Sequence, residues 1–185
     1  MSVQRLTIDG YGQLELNNAA FRRDGRVEAQ CRLDETDFAS VVAENGMILA
    51  IDNVTRTVTL PEADGSDQLL ALNYSAEHLY NDAFKGLKNF KLGVNDFLPR
   101  LGYLAVGDKF TTNCISYDTS DFADDATLKA NVLSTTAIYG SESTDGSILL
   151  KKGSAASSKG ITLKAIAMTT MPDGQFGMKF QVIAC

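Results

Sequence analysis

The sequence predicts a mainly β protein, a β-sandwich or barrel-like body of antiparallel hairpins with two or three short helices. Three observations carry this expectation. Turn dipeptides recur along the chain, the segments between them alternate apolar and polar residues, and helical periodicity is confined to a few short stretches. Asp-Gly stands at 9–10, 24–25, 64–65, 145–146 and 173–174, and Asn45-Gly46 adds a sixth site. Such pairs favour tight turns because glycine, and less easily Asp or Asn, takes a positive φ.

The elements follow in order. Over 26–33, Val27, Ala29, Cys31 and Leu33 take one face, and Arg26, Glu28, Gln30 and Arg32 the other. That is a half-buried strand, entered through a hairpin at Asp24-Gly25. Asp34 to Asn45 starts acidic, spaces Phe38, Val41 and Val42 on one helical face and stops at Gly46, so a helix is expected. Met47 to Ile51 is a short apolar run that suits a buried strand. Residues 54–60 place Val54, Val58 and Leu60 opposite Thr55, Thr57 and Thr59, with Arg56 interrupting the apolar face. Ser75 caps a second expected helix to about Gly86, with Tyr74 and Leu79 at staple positions. Ser120 or Thr119 caps a third over Asp121 to Asn131, whose acidic first turn suits the helix dipole. The chain ends in a long hairpin. Ile161, Leu163, Ala165 and Ala167 lead in, 171–175 turns, and Phe176, Met178, Phe180 and Val182 lead out.

Length and composition fit a single β-rich domain over 1–185. A break near 91–107, around Leu98-Pro99 and Gly93, Gly102 and Gly107, is the one place where it could subdivide. Residues 151–160 read as a mobile loop or extended arm because 153–160 is rich in Ser, Ala and Gly. No internal repeat of convincing length stands out. With 17 Lys+Arg against 23 Asp+Glu the chain is acidic and lacks a basic run. Direct nucleic-acid binding is therefore not expected, since it relies on Lys and Arg replacing counterions on phosphates. The first residues lack the apolar run of a signal peptide, and no stretch approaches a membrane helix.

Residues that could carry chemistry do not assemble into a pattern. His78 is the single histidine, at the start of an expected helix where polar residues are common. Cys31 and Cys114 lie in apolar alternation and read as buried free thiols; Cys185 ends the chain. Asp118, Asp121, Asp124 and Asp125 form the densest acidic group, but their spacing departs from a calcium loop and suits a solvated helix start. Glu15, Glu28, Glu35 and Glu44 are available for a carboxylate pair, and none stands out. In 153–160 Lys159 precedes Gly160, the reverse of a phosphate loop, and Gly10-Tyr11-Gly12 reads as a turn. Tyr11, Tyr74, Tyr80, Tyr103, Tyr117 and Tyr139 are too scattered for a carbohydrate platform and suit packing. No catalytic, cofactor-binding or metal-ligating residue is assigned.

Three stretches together resemble, in style, virion proteins of tailed bacteriophages. They are the strand–turn–strand opening from Met1 to Leu16, the run from Tyr103 through Gly107-Asp108 into the Thr-rich strand to Tyr117 with 121–126 after it, and the Ala, Ser, Thr and Gly-rich region beyond 133. The resemblance implies a non-enzymatic capsid cement or decoration protein, located in the virion and assembled in the host cytoplasm. It further implies a multi-copy or homo-oligomeric protein that bridges major capsid protein subunits or other virion proteins. Its contacts would come from edge strands and from arms such as 1–9 and 151–160. A tail tube or tail-completion component, a carbohydrate- or receptor-binding module and a carboxylate-based hydrolase are the alternatives.

Overall fold

A computed structural model describes residues 2–15, 27–28, 31–63, 68–75, 87–98, 100–132, 136–154 and 160–185. The protein is mainly β, with two sheets and, among the described residues, one α-helix. The strands are β1 (Val3–Arg5), β2 (Leu14–Glu15), β3 (Val27–Glu28), β4 (Cys31–Leu33), β5 (Ile48–Asp52), β6 (Thr57–Thr59) and β7 (Leu69–Asn73). There follow β8 (Phe97–Leu98), β9 (Leu101–Gly102), β10 (Lys109–Thr112), β11 (Ile115–Asp118), helix α1 (Asp125–Asn131), β12 (Ile138–Glu142), β13 (Ile148–Lys152), β14 (Thr162–Thr170) and β15 (Phe176–Ala184).

The seven-stranded sheet runs β3-β9-β7-β5-β6-β4-β8. Its two ends are one ladder. Val27 pairs with Gly102, Glu28 with Leu101, Cys31 with Leu98 and Arg32 with Phe97, all in a single antiparallel register. β3 and β4 therefore lie along β9 and β8 in one line, β4 also lies along β6, and the sheet closes into a ring of five lines of chain. A ring with an odd number of members cannot alternate direction throughout, so it must contain a parallel pair. Here that pair is β4 with β6, and the other four are antiparallel.

The eight-stranded sheet, β1-β11-β13-β12-β14-β15-β10-β2, repeats the pattern. The stretch 109–118 bends at 113–114; its first half pairs with β15 and its second, in parallel, with β13. β13–β12, β12–β14 and β14–β15 complete a second ring, again with one parallel pair. In both rings the first line pairs in parallel with the third and antiparallel with the fifth, and the second pairs with the third and the fourth. The chain thus holds two consecutive rings of the same topology, 27–102 and 109–184. The sequence gives no sign of this because strand pairing demands alternation, not residue identity. β9 closes the first ring, and the connection through Leu104 reaches β10 of the second.

Alternation decides what fills each ring. Cys31, Leu33, Leu49, Ile51, Val58, Ala71 and Leu101 form the first interior, joined by Phe38, Ala43 and Met47. The intervening Ile48, Ala50, Leu70 and Leu72 face outward and join the second cluster, so this wall is buried on both sides. The second ring encloses Phe110, Tyr117, Leu150, Leu163, Phe180 and Val182. Phe110 and Phe180 are paired across the sheet, with ring centroids 5.8 Å apart.

Several expectations change. Asp34 to Asn45 is not a helix. Asp34 accepts hydrogen bonds from the Thr36 and Asp37 amides, which turns the chain at once, and Ala43 bridges to Leu92. Phe38 and Val41 keep helical spacing only because both point into the first interior. Residues 54–60 are not one strand: 53–56 turns, Arg56 sits at φ 59° and Val54 is 93 % exposed at the tip. The third helix starts at Asp125, capped by Asp124, because Asp118 holds 119–122 in a turn. The expected helix from Ser75 to Gly86 and the turns at 24–25 and 64–65 lie outside the described residues, beyond Ser75 itself. The opening residues are not a free arm. Val3–Arg5 pairs with β11, and Leu6 is buried. Residues 151–152 belong to β13, while 155–159 lie outside the described residues. Among the described strands the short β1 and β2 are edges, and β14 beyond Lys164 pairs only with β15.

Candidate functional site

Two places concentrate polar chemistry: the joint between the rings and the outer wall of the second. At the joint, Arg5 from β1 donates to Glu44 Oε2 at 2.8 Å and reaches Cys114 Sγ at 3.2 Å. Glu44 also accepts from the Gly12 amide, and its carbonyl accepts from Asn73 Nδ2 at 2.8 Å. A layer behind, Asn113 Oδ1 accepts from the Gln13 amide at 2.6 Å, Thr112 Oγ1 donates to the Gln13 carbonyl at 2.6 Å and accepts from the Cys114 amide. The excursion 7–13 between β1 and β2 thus bonds to both rings. Glycine is needed where the backbones close: a Cβ on Gly12 would lie 2.8 Å from both Cys114 Cβ and Glu44 Oε2.

Burial pushes the Cys114 thiol up to about 12, outweighing the Arg5 charge that favours the thiolate. At neutral pH it is a thiol, not a nucleophile. Cys31 is buried as well, and Cys185 is exposed.

The acidic group after β11 is used internally. Asp118 accepts from the Ser120 amide and hydroxyl, which hold its pKa down, and lies 3.5 Å from Lys151 Nζ. Asp121 accepts from the Lys152 amide at 2.9 Å. Asp124 caps α1 through the Thr127 amide at 2.7 Å. Asp125 accepts from the Tyr117 hydroxyl at 2.7 Å and the Thr7 amide at 3.0 Å. Burial opposes ionisation of Asp125, but these bonds prevail and its pKa is lowered. The Tyr117 hydroxyl is pushed up to about 12, first by burial and then by that bond. Among the described residues, no three His, Cys, Asp or Glu groups converge to hold a metal ion.

Among the described side chains, Glu15, Glu35 and Glu44 are not brought together as a pair. Glu35 is engaged by Arg32 on the surface, Glu44 by Arg5 in the joint, and Glu15 lies on β2; the Glu28 side chain is outside the described residues. A shallow pocket of about 320 Å³ lies over Arg32, Leu33, Asp34, Glu35, Thr36 and Thr57. Of the tyrosines, Tyr74 and Tyr117 are buried, Tyr103 packs on the first core, and Tyr11 lies beneath the Lys91 ammonium. Tyr80 and His78 lie outside the described residues.

The outer wall of the second ring carries a row the sequence reading missed. Cross-strand partners share a face. Lys109 is opposite Gln181, Gln181 opposite Lys164, Lys164 opposite Tyr139, and Tyr139 opposite Lys151. Lys179 stands two residues from Gln181 on the same strand. Alternation along each strand places these groups opposite the buried Phe110, Leu163 and Phe180. The alternation was readable; which strands lie side by side was not.

Comparison of the chain with protein-family models, with curated proteins and with solved structures finds no match.

Proposed function

We propose that this chain is a non-enzymatic virion structural protein, a capsid cement or decoration protein that bridges major capsid protein subunits or other virion proteins. On this reading its rings are two small barrels that form a rigid spacer. It is assembled in the host cytoplasm and resides in the virion. The observation that carries the reading is how the polar chemistry is spent. The part-buried ion pair Arg5–Glu44 and the bonds of Gln13, Asn113 and Thr112 tie the rings together, whereas large apolar side chains stand exposed at turns and on the short strand β8. Val54, Phe97 and Val106 are 93, 57 and 63 % exposed. Filled interiors with apolar side chains exposed outside them suit a body that acts by contact. Those contacts come from exposed faces and turns.

Cosedimentation of the purified chain with shells assembled from a candidate major capsid protein tests this. Saturable binding at a fixed stoichiometry, weakened by Phe97→Ser or Val106→Ser, is the expected result. Failure to bind any shell, or binding without saturation, overturns the reading.

A further inference from the structure

The last two strands leave one edge open. β14 and β15 are nine residues each and pair along their length, but β12 pairs with β14 only at Leu163 and Lys164. A β-bulge follows at once, between Ala165 and Ala167. A bulge bends its strand, and beyond this one β14 has no partner but β15 among the described strands. Among the described residues the backbone of 166–170 makes no hydrogen bond outside the β15 ladder.

Unpaired N–H and C=O groups template another strand, and β proteins blunt such edges with charge, proline or brevity. β1 and β2 are blunted by length, at three and two residues. Residues 166–170 read Ile-Ala-Met-Thr-Thr, with no charge and no proline. Ile166 and Met168 are 37 and 41 % exposed. The groups that would discourage pairing stand just outside this run, Lys164 before it and Pro172 after it.

We infer that two copies of this chain pair β14 to β14 across a two-fold axis and join their eight-stranded sheets edge to edge. The occupant is a second copy because this edge is complementary to itself. Antiparallel pairing of a strand with its own copy sets the same N–H and C=O groups against each other in both directions, and the contact closes as a dimer. The two edges also match in length, so neither leaves a group over. An axis at Met168, the middle of 166–170, sets Met168 opposite Met168 of the second copy, Ala167 opposite Thr169 and Ile166 opposite Thr170. Apolar and β-branched pairs of this kind stabilise a sheet. Lys164 then meets Pro172, so the ladder ends where a donor is missing, and no lysine faces a lysine. Lys179, opposite Ala167 on β15, lies three strands from Lys179 of the second copy. That is about 14 Å at the ordinary strand spacing, past the screening length in physiological salt. This inference goes beyond the proposed function and does not rest on it.

The test is sedimentation velocity of the purified full chain over concentration, with two variants at the axis. A reversible monomer–dimer equilibrium is expected. Met168→Lys and Met168→Glu each set like charges face to face, and each should weaken dimerisation about tenfold or more. Mixed in equal amounts they should pair with each other, because opposite charges then face. Pairing on mixing distinguishes a lost contact from a misfolded chain. The register has its own readout: in a Cys185→Ser background, Met168→Cys should cross-link two copies under mild oxidation and Lys164→Cys should not. A chain that stays monomeric at its solubility limit, a dimer that both charge variants leave intact, loss without pairing on mixing, or cross-linking at 164 rather than 168 overturns the inference. Shell binding by the charge variants is scored separately and bears on the proposed function alone.

Discussion

Gly46→Ala probes the seam that makes two rings one body. Gly46 has φ +91°, and a Cβ there would overlap Thr112 Oγ1 and lie 3.0 Å from Cys114 Cβ. An alanine at positive φ costs about 1 kcal/mol. The Thr112 hydroxyl cannot rotate away freely, because it donates to the Gln13 carbonyl and accepts from the Cys114 amide. Losing those bonds costs about 1 kcal/mol more, and overpacking the seam roughly 1–2 kcal/mol. The total is about 3–4 kcal/mol, a fall in Tm on the order of 10 °C for a chain of this size. Gly174→Ala is the matched control, since Gly174 has φ +88° and nothing within 4 Å of its added Cβ. It should cost about 1 kcal/mol, roughly 3 °C. Urea and thermal unfolding of both variants, with Thr112→Ala and the Gly46→Ala/Thr112→Ala double variant, give the measurement. The double variant should be less destabilised than the sum of the singles by roughly 1 kcal/mol. If Gly46→Ala costs no more than Gly174→Ala, the rings are not packed through this seam and the reasoning fails.

Three further outcomes are expected. Asp118 and Asp125 titrate below the ordinary 3.8 in the folded chain, so the unfolded chain binds more protons in that range. Their contribution is present above the unfolded value and lost as pH falls through the lowered ones; Asp118→Asn should flatten the acid limb of a stability–pH curve, and an unchanged limb would refute this. A disulfide-exchange reagent at mildly alkaline pH should label Cys185 in the native protein and reach Cys31 and Cys114 only on unfolding, because Cys114 is buried with its pKa near 12. Fast native labelling of two or three thiols would contradict the burial. Asp124→Ala should cost about 1 kcal/mol by removing the cap of α1, while Ser120→Ala leaves the helix start in place. Amide exchange across 125–131 reads the difference, and equal effects would restore Ser120 as the cap.

What the sequence determined by itself was local. The turns at 9–10, 45–46, 145–146 and 173–174, the alternation at 31–33 and the closing hairpin were legible because a turn needs only its own residues to reach positive φ, and a half-buried strand needs only alternate apolar side chains. The apolar residues of the core were legible for the same reason. The same locality misled at 34–45, where Phe38, Val41 and Val42 have helical spacing but a carboxylate-closed turn sends Phe38 into a ring interior. Tertiary structure alone decided the rest. Pairing of β3 and β4 with β9 and β8, and of 109–118 with both β13 and β15, joins residues tens of positions apart, and no local preference encodes which partner is chosen. Arg5, Glu44 and Cys114 meet only after both rings close, and Lys109, Lys164 and Lys179 become a row only when β10, β15 and β14 lie side by side. A surface made from three distant strands has no signature in any one of them, so that row had to be read from the folded chain.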